Sequence, residues 1–579
     1  MRRAPALALL AVLALSSCRS PMHVAEGSEG EAPAGTVGHQ APDRPEGTQV
    51  LPLPAPGPME ARVQAERRAV HAEAARRVAH DSAATFAYAP APPPRLRPPN
   101  TERYAEIDDN PVRLAAEDPV STFSVDVDTG SYSNVRRMLR QGVRPPADAV
   151  RAEEFINYFD YGHAAPTSPG VPFRATTELA PAPWNPKRHL LMIGIKGYDV
   201  AKAQLPPANL VFLLDTSGSM DAPDKLPLLK QSFAALVSQL RAQDRVSIVA
   251  YAGAAGLVLP PTPGDRGDVI LAAIHRLEPD GGTDGSAGIA LAYDMARRAF
   301  VEGGSNRVIL ATDGDFNLGT VDQGALETLV ADQRRHGIAL TTLGFGHGNY
   351  NDALAERLAD VGDGNHAYID TLQEARKVLV EEMQSTLLTI ARDVKVQVEF
   401  NPALVADYRL VGYENRVLAR EDFANDRVDA GDIGAGHEVT ALYELTLVGS
   451  GAARIPPLRY GGAQPVPAGP AGGEIAHLRL RYKRPGEDTS RLIETPVPRA
   501  SLRQAPSDTM RFAATVAAFA DALRGGTHVD GWGWDAITAS ARDTRGRDPW
   551  RLREEFAELA GLARMLVPDA PAPANADPG

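Results

Sequence analysis

The stretch N-L-V-F-L-L-D-T-S-G-S-M occupies residues 209–220. Residues 210–214 are apolar at every position, the pattern of a parallel strand buried on both faces. The run ends abruptly in small polar residues, with Asp215, Ser217 and Ser219 at alternate positions. In open α/β sheets the carboxyl end of such a strand faces the crevice that holds ligands. D-x-S-x-S at that place offers one carboxylate and two hydroxyls in a tight turn, with Gly218 permitting the bend. These are hard oxygen donors, suited to Mg²⁺ or Mn²⁺. Taken alone the pattern fits a helix cap better than a metal site, because Asp, Ser and Gly crowd after strands in any turn.

Two later pieces extend it. Gly281-Gly282-Thr283-Asp284-Gly285 places a threonine in a glycine-rich loop before a helical pattern, and Arg307-Val-Ile-Leu-Ala-Thr-Asp313 is a second buried strand ending in a carboxylate. Between and beyond them, apolar spacing predicts helices over 226–241, 269–277, 286–300, 323–336, 352–359 and 372–388. Strands are expected over 245–251 and 338–345. This alternation predicts an α/β fold: a doubly wound, mainly parallel, Rossmann-like sheet.

Together the three pieces resemble the metal-ion-dependent adhesion site of von Willebrand factor type A (VWA) domains: D-x-S-x-S, a Thr, and an Asp after a later strand. The resemblance implies a divalent ion, Mg²⁺ or Mn²⁺, with Ser217, Ser219 and Thr283 coordinating directly or nearly so. Asp215 and Asp313 would act directly or through water. So few direct carboxylates would leave the ion residual positive charge, to be met by a partner's Asp or Glu. Asp315 fits a turn, and His347, with no evident base partner, reads as a loop residue.

At 579 residues the chain exceeds a single core. Its formal net charge of −13 argues against nucleic acid as a partner. Arg2 and Arg3 precede an apolar run over 4–15, too short to span a bilayer and fitting an export signal. Cys18 is the only cysteine and follows Leu15-Ser-Ser, which resembles a lipoprotein lipobox and implies lipidation there. Arg19 after it favours the outer membrane by the same resemblance. Residues 18–100 are rich in Pro, Ala and Gly and read as a disordered tether.

The organisation expected is a signal peptide (1–17), the tether (18–100), an N-terminal α+β block (101–172), and two β-strands (173–207) pairing with a later β unit. A VWA domain (208–390), that antiparallel β unit (391–500), and a C-terminal helical segment with a disordered tail (501–579) follow. The VWA sheet is thus inserted in a β-rich unit. The period-2 pattern of Val394, Val396, Val398 and Phe400 marks where the β unit starts. Asp126 and Asp128 form a D-x-D that lacks the rest of a phosphatase or EF-hand motif, so turn and capping roles are expected. Asp148 and Asp548 are expected N-caps. Trp532, Trp534 and Trp550 are expected in a core.

The whole resembles a family of bacterial exported lipoproteins with a VWA domain, the YfbK-like kind. Thr-Phe-Ser-Val-Asp-Val-Asp-Thr-Gly-Ser-Tyr at 122–132 carries the N-terminal block, and Asp-Ala-Gly-Asp-Ile-Gly-Ala-Gly-His-Glu-Val-Thr-Ala-Leu-Tyr-Glu at 429–444 a C-terminal block of unknown function. The expected role is a membrane-anchored envelope module binding a protein carboxylate through metal, with no catalytic residue and no enzymatic activity. Two alternatives stand beside it: a hydrolase using the same ion, and a structural scaffold with a degenerate site. The absence of G-x-S-x-G, H-E-x-x-H and P-loop motifs weighs against the hydrolase.

Overall fold

The computed structural model describes residues 100–168, 170–314, 322–456, 473–529 and 531–569. The expected signal, Cys18, the tether and Asp315 lie outside the described residues. Among those residues no helix is long and apolar enough to cross a membrane.

At the centre is a six-stranded sheet in the order His366–Ile369, Ile338–Phe345, Ser305–Thr312, Ala208–Asp215, Arg245–Tyr251, Ala255–Pro263. Every pairing is parallel except the last, where Ala255–Pro263 turns back as an antiparallel edge. All residues of Ala208–Asp215 are buried. Leu210, Phe212 and Leu214 face a core with Leu229, Phe233 and Ile270, while Val211 and Leu213 face another with Ile289, Tyr293 and Val330. Two-sided burial is the physical reason the strand carries no polar alternation. The doubly wound, mainly parallel fold class is therefore the one observed.

The helices Leu226–Val237, Gly267–His275, Gly285–Arg298, Gln323–Arg335 and Asp352–Val361 flank this sheet. The continuous helix expected over 372–388 is instead broken into Leu372–Arg376, a π-helical turn at Lys377–Glu381, and Met383–Leu387. Buried Ala375, Leu379, Met383 and Leu387 recur every fourth residue, and the wider π turn keeps them on one face. The short strand His366–Ile369 and the edge strand Ala255–Pro263 have no clear signature in the sequence.

Two antiparallel sheets form a sandwich over a second core. One runs Arg113–Leu114, Val405–Val411, Glu438–Leu447, Asn185–Gly197, Phe173–Ala182. The other runs Ile433–Gly434, Thr389–Phe400, Glu474–Lys483, Arg491–Pro498, with Val120–Ser124 also paired to Thr389–Phe400. The central sheet is thus inserted between Asn185–Gly197 and its partner Glu438–Leu447. Val394, Val396, Val398 and Phe400 face the sandwich core. Lys395 and Gln397 on the opposite face are buried as well. The Lys395 Nζ donates to the carbonyls of Asp422 and Asn425, and the Gln397 amide to Thr122.

The N-terminal and C-terminal helices are not separate units. Gly130–Arg140 and Ala152–Asn157 share one core with Asp508–Arg524, Trp534–Asp543 and Leu552–Leu566, built around Tyr132, Phe155, Phe159, Phe512, Phe519 and Phe556. Trp534 is in that core and Trp532 packs against it, but Trp550 is 56% exposed, since the turn before the last helix gives the core positions to Leu552 and Phe556. The last helix starts at Leu552, later than the expected Asp548 cap; Asp548 instead accepts from the Glu554 amide. Asp148 lies in a 3₁₀ turn and accepts from the Ile107 amide, with the helix beginning at Ala152. Asp126 accepts from the Asp128 amide and Asp128 from the His366 amide, which ties the N-terminal block to the central sheet.

Ser507 caps Asp508–Arg524 by accepting from the Met510 amide at 3.1 Å, and donates to Glu178. Ser507→Ala is expected to lower unfolding free energy by about 1 kcal/mol. Urea denaturation monitored by circular dichroism checks this, and an unchanged midpoint would contradict it.

Candidate metal site

The strand end that decides the fold also positions the oxygen donors. Asp215 closes Ala208–Asp215, Asp313 directly follows Ser305–Thr312, and these neighbouring parallel strands set the two carboxylates side by side. Each oxygen of Asp215 is engaged. Oδ1 accepts from the Ser217 amide at 2.9 Å, and Oδ2 accepts from Thr312 Oγ1 at 3.1 Å and the Tyr251 hydroxyl at 3.3 Å. Burial pushes its carboxyl up to about 6, with the Ser217 amide opposing and the Asp313 charge adding to the rise.

Ser217 Oγ and Ser219 Oγ lie 3.0 Å apart, and Ser219 is within hydrogen-bonding reach of Asp313. Asp215, Ser217, Ser219 and Asp313 therefore form one contiguous set of oxygens. Asp215, Ser217 and Asp313 are buried, whereas Ser219 is exposed, so the set opens to the surface at Ser219. The loop carrying Thr283 sits against the same turn: the Gly218 amide donates to the Gly281 carbonyl at 3.1 Å, and the Asp280 amide to the Thr216 carbonyl at 2.8 Å. Thr283 itself is half-buried, and the hydrogen bonds of this loop run through its backbone and Asp284.

Residues that sequence reading missed complete the surroundings. Lys225 Nζ donates to Asp313 Oδ2 at 2.8 Å and to Asn349 Oδ1 at 3.0 Å. Burial raises the Asp313 carboxyl, but the Lys225 ammonium and hydrogen bonds from Lys225, Ser219 and Asn349 together offset this and hold it below the usual carboxylate range. Tyr251 and Thr312 position Asp215. None of these follows from a local pattern, since each reaches its partner from another strand or loop. His347 stands on the adjacent loop, paired to Asp224 Oδ2 at 2.7 Å.

Among the described residues no group of three or more His, Cys, Asp or Glu side chains is placed to hold a metal. The donor set here is hydroxyl-rich, with only two carboxylates, and its oxygens fit a hard divalent ion.

This topology and oxygen set define a VWA domain protein. The von Willebrand factor type A domain model matches residues 210–315, a von Willebrand factor model matches 98–192, and the model described as "Uncharacterized protein YfbK, C-terminal" matches 385–566. The Escherichia coli (strain K12) protein "Uncharacterized protein YfbK" is 49% identical over 471 residues, covering 80% of this chain and 81% of its own. The chain belongs to the YfbK family. "Uncharacterized protein sll0103" of Synechocystis is 28% identical over 298 residues, covering 50% of this chain and 65% of its own. The solved "von Willebrand factor type A from Catenulispora acidiphila" is 14% identical and covers 72% of this chain and 95% of its own, with a TM-score of 0.39.

Proposed function

We propose that this protein is a lipid-anchored module of the bacterial envelope, at the outer membrane, whose VWA domain binds a protein partner through Mg²⁺ or Mn²⁺ and a partner Asp or Glu. The observation that carries this reading is the contiguous set of Asp215, Ser217, Ser219 and Asp313 at the carboxyl ends of adjacent strands, opening to the surface at Ser219. VWA domains commonly bind a divalent metal and mediate protein interactions.

Ser217, Ser219 and Thr283 would hold the ion by their hydroxyls, and Asp215 and Asp313 by their carboxylates. When bound, the ion supplies a positive centre with exchangeable waters, where a carboxylate can attach. Asp215 orients the serine turn by accepting the Ser217 amide, and Thr312 and Tyr251 hold its other oxygen in place. No base is assigned for turnover, so the site is read as a binding site.

Calorimetric titration of Mg²⁺ and Mn²⁺ into metal-stripped protein is expected to give saturable binding that is lost in Asp215→Ala. Retained binding in the variant, or turnover of a phosphoester or peptide lost with Asp215, would overturn the reading. For the anchor, Cys18→Ser is expected to move the protein from the membrane to the soluble fraction, and unchanged fractionation would refute lipidation there.

A further inference from the structure

We infer that Lys225 is a resident cation of the metal site, a positioning residue that competes with the divalent ion for Asp313 and leaves a bound ion dependent on an acidic partner. The inference rests on the metal-binding reading above.

Lys225 stands between the Gly218–Asp221 turn and the Leu226–Val237 helix, and only 6% of it is exposed. Its stem passes against Gly346, whose φ is +71°; a Cβ there would lie 2.3–2.8 Å from Lys225 Cγ, Cε and Cδ. The backbone of this loop is therefore shaped around the lysine. The ammonium ends on Asp313 Oδ2 at 2.8 Å and Asn349 Oδ1 at 3.0 Å. Asn349 lies beside residues pinned by the segment 101–103, where the Thr101 amide donates to the Gly348 carbonyl and the Arg103 amide to the Tyr350 carbonyl.

A buried lysine is retained only where its charge is met, and here the partner is one of the two site carboxylates. The carboxylates Asp215 and Asp313 bring two negative charges and Lys225 one positive. A divalent ion thus finds one net negative charge and keeps one net positive charge once bound. That remainder is what a partner carboxylate neutralises. Without the ammonium the two carboxylates would satisfy the ion alone, and the incentive to recruit an acidic ligand would fall.

The test compares wild type with Lys225→Met, which keeps an unbranched stem beside Gly346, and Lys225→Gln, which keeps a donor for Asp313. In EDTA both variants are expected to melt below wild type. Mn²⁺ is expected to bind both at least about tenfold more tightly, since a nearby like charge is gone. The Mn²⁺-induced rise in melting temperature should exceed that of wild type, and acetate should strengthen Mn²⁺ binding more in wild type than in the variants. A packing role alone would lower melting temperature equally with and without metal.

Unchanged or weaker Mn²⁺ affinity in the folded variants, beside saturable binding in wild type, overturns the inference and leaves the metal site standing. Binding by the variants but not by wild type upholds the inference and overturns the reading of wild type as a metal binder. No binding by any of the three overturns both.

Discussion

Replacing Arg136 with methionine is expected to destabilise the protein by about 3–5 kcal/mol, the range for breaking a buried ion pair from one side. Arg136 lies on the Gly130–Arg140 helix with its side chain 1% exposed. Its Nε donates to Asp370 at 2.8 Å, and Nη2 to Glu374 at 2.7 Å with a further bond to Asp370. Nη1 donates to Glu555 and to the Tyr158 hydroxyl, each at 2.8 Å. Asp370 and Glu374 follow the edge of the central sheet, and Glu555 lies on the Leu552–Leu566 helix. One guanidinium thus joins the VWA sheet, the N-terminal helix and the C-terminal helix. Burial works against its charge, but Asp370, Tyr158 and Glu374 outweigh this and hold it protonated well beyond its ordinary range. Methionine would leave Asp370 and Glu374 facing each other in a buried site. Denaturant unfolding of variant and wild type measures the loss, and a difference under about 1 kcal/mol would show that the layers hold together without this network.

Gly314→Ala is expected to cost about 2–4 kcal/mol, summing backbone strain and overpacking. Gly314 has φ +93°, which an L-residue adopts only with strain, and an added Cβ would lie 2.3 Å from the Asn351 nitrogen and 2.5 Å from the Tyr350 Cα. These are backbone atoms of the Tyr350–Asn351 segment, which cannot swing away as a side chain could. Because Gly314 directly follows Asp313, relief would come by displacing Asp313 and the 349–351 loop together. Mn²⁺ affinity should therefore fall along with the melting temperature. A variant that melts lower yet binds Mn²⁺ as wild type does would show that the strain leaves Asp313 in place.

The central strand shows what local pattern can determine. Residues 210–214 are apolar throughout because neighbours cover both faces, and that burial follows from composition without knowing which neighbours they are. The oxygens at residues 215–219 are likewise read from one turn. Period-2 alternation in 394–400 marks a strand of the sandwich but does not say what covers its polar face, where Lys395 and Gln397 meet residues distant in sequence. Trp550 was expected inside and is exposed, since an aromatic at a helix start has no periodic partner to fix its face.

The sequence by itself determined the α/β class, the insertion of the sheet in a β-rich unit, and the donor types offered at the strand ends. The class and the donors depend on residues close together in the chain, and the insertion on strand-like patterns found both before and after the sheet. Only the tertiary structure decided that the helices Gly130–Arg140 and Leu552–Leu566 share one core, that Arg136 binds three regions, and that Lys225 sits on Asp313. These depend on strand register and on side chains meeting across long chain separations. A buried charge finds its partner by packing, and one-dimensional pattern carries no record of that partner.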